Sequence, residues 1–204
     1  MPTSPIVGLV LVGLGLLYHY GAMRADAQSR STKIEQEHRE AERRSAHDRK
    51  LAQRFRELLS ETSQEGFVDR LMHQHACFLD EIGLVEDAGH FLGSAEAHFL
   101  SPEIAAASKS FLERTAPLLK FIGSRFFRYP NRQSGARLQL AMQPNWNIDR
   151  DGSGDPEEED RYNKLTAELE GAVRDWAAAN RGLIVSFHEE LKKQPRPTTV
   201  PLTC

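Results

Sequence analysis

The amino-acid sequence predicts an all-α chain: an N-terminal transmembrane helix, a charged helical stalk, and a three- or four-helix bundle with a long final helix. Three observations carry this expectation. Apolar residues recur at the 3.6-residue helical period along most of the chain. An apolar run near the N-terminus departs sharply from everything after it. No strand-rich segment and no internal repeat competes with helices. The 204 residues, 40% of them hydrophobic, suffice for one core plus an appendage.

After a short tail (1–4), residues 5–23 form the expected anchor. Ile6 to Leu17 carries no polar side chain, and Tyr18, His19 and Tyr20 follow as an interfacial belt. The run approaches the roughly 20 residues that cross a bilayer. A cleaved signal peptide would want Lys or Arg before the apolar run, and MPTSP has neither. Arg24, Arg30, Lys33 and Arg39 follow the span, so the positive-inside rule places the C-terminal domain in the cytoplasm. Gly13 and Gly15 are no dinucleotide loop, because no strand precedes them.

Residues 24–50 read as a solvated helical stalk. They hold eight basic and six acidic residues, and Ile34 is the one large aliphatic among them. Glu35 with Arg39 and Glu40 with Arg44 are acid-first i,i+4 pairs, the favourable order on a helix. Ala27, Ile34 and Ala41 outline a short seam of period seven that Asp48 ends, so a self-associating coiled coil is the alternative.

The bundle is expected over 51–194. Leu51, Phe55, Leu58 and Leu59 form one stripe, and Gly66 interrupts before Phe67, Leu71, Phe78, Ile82 and Val85 form the next. Ser101-Pro102-Glu103 reads as a helix start, with serine as cap and proline in the first turn. Ile104, Ser108, Phe111, Leu118 and Ile122 follow on one face, and Pro117 is expected to kink or divide that helix. Residues 129–154 are irregular, with 137–142 open between strand and helical turn. Tyr162, Leu165, Leu169, Val173, Trp176, Leu183 and Phe187 then mark a helix from about Pro156 to Lys193. Residues 195–204 are read as a disordered tail.

One stretch carries candidate chemistry. In DRDGSGDPEEED, Asp149, Asp151, Ser153, Asp155, Glu157 and Asp160 fall at positions 1, 3, 5, 7, 9 and 12 of a twelve-residue loop with Gly154 at position 6. This resembles the EF-hand calcium loop, and the resemblance implies calcium held by those six residues, Asp155 through its carbonyl. The sequence departs from the pattern at Pro156, which has no N–H to pair with a sister loop, and at Asp160, where the family has glutamate. The same residues also read as a helix start, with Asp155 as cap, Pro156 in first position and Glu158 completing a capping box. Both readings stand at this point.

Other constellations are thinner. On a helix His73, Cys77 and Glu81 would share a face, three of the four ligands a structural zinc wants, and His75 would not join them. Asp87 with His90, and Glu35 with His38, echo the acid-x-x-His pairs of di-iron bundles. Cys77 and Cys204 make no disulfide framework, and Cys77 is expected as a small core residue within a helix. The net charge of −3 and the lack of an acid-free basic stripe disfavour nucleic acid as a partner.

The functional expectation is therefore a single-pass membrane protein acting as a protein-interaction scaffold, adaptor or assembly factor, through a protein partner or self-association. A calcium-binding module is the alternative, and a metal-binding bundle enzyme the third.

Overall fold

The computed structural model describes residues 5–129, 137–147, 150, 152 and 154–192; the side chains of 5–18, 21, 22, 25, 27 and 191 lie outside that description. Two compact units emerge, residues 1–44 and 45–204. The chain is mostly helical, as expected for an all-α protein.

Helix α1 runs Pro5–Leu58. Within the first unit the pairs read from the sequence form, Arg39 to Glu35 at 2.6 Å and Arg44 to Glu40 at 3.7 Å. Such exposed pairs are worth only about 0.3–0.5 kcal/mol each. Ile34, the large aliphatic of the seam of period seven, is 67% exposed. Among the described residues no helix is long and apolar enough to cross a membrane. The side chains of 5–18, on which the expected span rests, are outside those residues.

The second unit is a helical bundle with a small sheet at one end. Ser60 stops α1 and opens α2 (Glu61–Asp69), its Oγ accepting from the Ser63 N–H. Gly66 does not interrupt: α2 passes through it. A π turn, Arg70–Gln74, follows, and His75 ends it in the left-handed conformation, φ 46°. The chain then enters β1 (Ala76–Phe78) before α3 (Leu79–Gly93).

Helix α4 runs Pro102–Arg125, with the Ser101 hydroxyl accepting from Ile104 N–H and Pro102 in the first turn. Pro117 does not divide it. Its ring faces solvent, and so does Glu113, the residue whose carbonyl lost its donor, so water can satisfy that oxygen. Strands β2 (Phe126–Arg128) and β3 (Gln139–Met142) complete an antiparallel sheet of order β1-β3-β2, which settles 139–142 as strand. A 3₁₀ turn, Pro144–Trp146, leads toward α5 (Pro156–Lys192).

The stripe expected to run helically from Phe67 to Val85 is thus broken by a strand. Ala76, Cys77 and Phe78 pair with Ala141, Leu140 and Gln139. Sixty-odd residues separate the partners, so no local window contains the signal. Two arginines brace the strand's end. Arg137 binds Asp80 through two 2.7 Å hydrogen bonds, and it stacks over the Phe78 ring at 4.2 Å. Arg70 approaches the same ring and pairs with the nearly buried Glu81, whose other hydrogen bond is to Phe78 N–H at 2.9 Å.

The core lies between α4 and α5 and the last turns of α1. Phe55 meets Phe111 edge-on at 5.6 Å, Phe111 meets Trp176, and Trp176 meets Phe67 edge-on at 5.7 Å. Such aromatic pairs add roughly 0.5–1.5 kcal/mol beyond the area they bury. The Trp176 indole donates to Thr115 Oγ1 at 3.0 Å, and that hydroxyl donates to the Phe111 carbonyl at 2.8 Å. Both polar groups of this pair are thereby satisfied, whereas Ser108 Oγ, earlier on α4, is buried without a partner.

Asp48, expected at the solvated end of the stalk, is instead 2% exposed. Its two carboxylate oxygens accept from Leu100 N–H and Ser101 N–H, both at 2.8 Å, tying α1 to the start of α4. Replacing it by alanine strands one buried and one part-buried donor, so Asp48→Ala is expected to cost about 2–3 kcal/mol, with Asp48→Asn costing less. Urea unfolding checks this: a loss below about 0.5 kcal/mol, the usual scatter of surface substitutions, would refute the anchoring role.

Candidate functional site

A polar cleft of about 600 Å³ lies where the π turn, the 3₁₀ turn and the first turns of α5 meet. Its floor is built around Tyr162. The helical period of α5 turns Tyr162 inward to 7% exposure, with a hydroxyl that must find partners. Asn147 Nδ2 donates to it at 2.9 Å, and His75 Nδ1 lies 2.9 Å away. With the ring proton on Nε2, a neutral His75 would present an unprotonated Nδ1 that the Tyr162 hydroxyl can donate to.

The surrounding backbone is strained in two places. His75 and Gln143 are the described non-glycine residues with positive φ, 46° and 35°, and they are joined through β3: Met142 N–H donates to the His75 carbonyl. Left-handed non-glycine residues and π turns each carry a cost, and both gather at functional sites. Arg150 closes one side. It donates from Nη2 to the Gln74 carbonyl at 2.7 Å and lies 4.7 Å over the Tyr129 ring. Trp146 and Tyr129 supply aromatic walls, Glu159 lies on the α5 side, and Thr166 sits one helical turn beyond Tyr162. The Thr166 hydroxyl oxygen is buried with no hydrogen-bond partner.

Electrostatically the cleft favours a neutral His75. Burial lowers its pKa from the ordinary 6.5; Glu170 opposes that shift, and Arg150 and His73 add to it. The sequence sets His75 apart from the face shared by His73, Cys77 and Glu81, and assigns Tyr162 to the apolar stripe. The i,i+4 spacing of Tyr162 and Thr166, two hydroxyls on the core-facing side of an amphipathic helix, was the available signal.

A second concavity, about 320 Å³, runs between α2 and α5. Val68, Ala177, Ile184 and Val185 give it apolar flanks, and Glu61, Glu65 and Arg181 a charged rim. Beneath it Asn180 and Gln64 are both 4% exposed and hydrogen-bonded to each other, and Gln64 Nε2 donates to the Leu59 carbonyl at 2.8 Å. The Asn180 carbonyl oxygen has no partner.

Of the six residues of the proposed calcium loop, Asp149, Asp151 and Ser153 lie outside the described residues. The others form a helix start. Asp155 Oδ1 accepts from Glu157 N–H at 2.9 Å, and the Asp155 carbonyl accepts from Glu159 N–H at 3.0 Å. Glu157 pairs with Arg161 at 3.3 Å and Asp160 with Lys164 at 2.6 Å. Gly154 is left-handed, φ 77°, which only glycine adopts at no cost.

The helix face that would align His73, Cys77 and Glu81 does not exist, because residues 76–78 are a strand. His73 is exposed beside Asp69, Cys77 is buried, and Glu81 is taken by arginines. Burial pushes the Cys77 thiol up to about 12, with Arg70 opposing, so it is a core residue as expected, though of a sheet. Among the described residues no group of three or more His, Cys, Asp or Glu converges on a metal position. No family model matches the chain, and neither curated proteins nor solved structures yielded a match.

The lowered His75 pKa has a signed consequence. Its stabilising neutral form is fully present above the unfolded value of 6.5, and stability falls as the pH drops from there through the folded value. Urea midpoints compared at about pH 7.5 and about pH 5 should show this loss. His75→Asn, which tolerates the left-handed backbone, should reduce the difference. An identical pH dependence in the variant would assign the loss to other groups.

Proposed function

We propose that this chain is a single-pass membrane-anchored helical protein that acts as an interaction scaffold, adaptor or assembly factor, with its C-terminal unit on the cytoplasmic side. The apolar run at 5–23 and the basic residues that follow it support the anchor and its orientation. The observation that carries the interaction reading is the groove between α2 and α5. Val185 stands 57% exposed beside Ile184 and Val68, with a charged rim and an unpartnered Asn180 carbonyl beneath. An apolar centre within a polar rim is the usual anatomy of a protein-binding patch.

Two measurements test this. The full chain should stay with the bilayer through alkaline extraction, and deletion of residues 5–23 should release it; extraction of the intact chain would remove the anchor. A photocrosslinker at Val185 should trap one predominant protein, and Ile184→Asp should suppress the adduct. Equal trapping from the exposed control position Glu168 would count against the groove.

A second reading, a calcium-responsive loop, is favoured by Gly154, whose left-handed backbone suits the sixth position of an EF-hand loop. In this reading calcium raised to about 10 mM, suited to a weak extracellular-type site, increases the thermal midpoint. The double variant Asp149→Ala, Asp151→Ala should lose that increase. Equal midpoints in calcium and chelator would dismiss it.

A further inference from the structure

The cleft at Tyr162 holds a charge whose neutralisation the described residues do not supply. Arg150 is half-buried, and its guanidinium is held by two neutral groups, the Gln74 carbonyl at 2.7 Å and the Tyr129 ring at 4.7 Å. No described carboxylate lies within ion-pair distance of it. A guanidinium carries five N–H donors in a planar fork, and one backbone carbonyl leaves most of them unspent. Glu159 lines the same cleft from an exposed position, where solvent screens its charge.

A second observation points the same way. The Thr166 hydroxyl oxygen is buried on the cleft wall without a partner. Threonine in a helix splits between two χ1 rotamers, so this hydroxyl is not locked in one direction. An unmet donor and a cation without a described counter-charge thus line one cleft together with two aromatic rings.

We propose that this cleft is the binding site of a small oxyanion ligand, a carboxylate or phosphate group on a metabolite-sized molecule, seated against Arg150 with Thr166 as a neutral donor. The size of the cleft, about 600 Å³, lies within the range of small-molecule sites. Tyr129 and Trp146 face the remainder of such a molecule. The site is separate from the groove between α2 and α5, so either can fail without the other.

The test uses the full chain and its own fluorescence. Of the two tryptophans, Trp146 lines the cleft and Trp176 is fully buried in the core. Inorganic phosphate and acetate are titrated separately at constant ionic strength set with chloride. A saturable change with a half-point below about 10 mM is expected for one of them, and the tighter probe identifies the ligand's group as phosphoryl or carboxylate. Trp146→Phe should remove the optical signal, and calorimetry then reads binding independently of it. Arg150→Gln should weaken binding about ten- to hundredfold. Arg150→Lys keeps the charge without the fork and should fall between. Should Arg150→Gln unfold the loop, Thr166→Val provides the loss from the opposite wall. Glu159→Gln removes a like charge and should tighten binding. Asp149 and Asp151 flank Arg150 in sequence, outside the described residues. If they neutralise it, neither probe saturates, and that result overturns the proposal, as does binding unchanged in Arg150→Gln.

Discussion

The second unit depends on one reversal of the backbone, at His75. Up to that point the chain is helical, and an unbroken helix would carry Cys77 and Glu81 along one face. The left-handed φ of His75 ends the π turn and redirects residues 76–78 into a strand. Its carbonyl then accepts from Met142 N–H, and its ring meets the Tyr162 hydroxyl. One residue therefore couples the α2 layer, the sheet and the longest bundle helix. Strain of this kind costs of order 1–3 kcal/mol and persists only where surroundings over-determine it. Here two hydrogen-bonding groups of the same residue are held from two different elements.

The helices are placed against one another by a few buried polar groups set into an aromatic core. Asp48 fixes α1 to the start of α4, Thr115 receives the Trp176 indole across the interface of α4 and α5, and Gln64 with Asn180 joins α2 to α5. Apolar contacts between helices are permissive about register, because a slip exchanges one aliphatic contact for another. A buried hydrogen bond is not permissive, since a slip leaves both partners dry at about 1–3 kcal/mol each. The aromatic contacts among Phe55, Phe111, Phe67 and Trp176 supply the bulk of the attraction, and the polar groups select one arrangement of it.

The same division explains the two concavities. Where α5 passes the π turn and the 3₁₀ turn, backbone irregularity keeps the elements from closing, and polar side chains fill the space: Tyr162, Asn147, His75 and Arg150. Where α5 passes α2, both elements are regular helices, and the gap between them is flanked by Val68, Ile184 and Val185. A polar cleft suited to a small charged ligand and a half-apolar groove suited to a protein thus arise on one helix. Arg150 and Glu159, from the acidic stretch at the start of α5, line the first of these.

The sequence alone determined the helical class and most of the helix faces. Phe55, Leu59, Phe111, Leu118, Leu169, Val173, Trp176 and Phe187 were legible as core because burial on a helix imposes a 3.6-residue period. Ser101 and Asp155 were legible as caps because capping is local chemistry between a side chain and N–H groups two or three residues on. The first unit's ion pairs were legible for the same reason, being four residues apart. Tertiary structure decided the rest. It placed Cys77 in a strand and gave Asp48 two backbone donors to hold. It also carried α4 through Pro117 and brought His75 to Tyr162 across 87 residues of chain. Each of these rests on a partner distant in sequence or on which side faces water, and local periodicity contains neither.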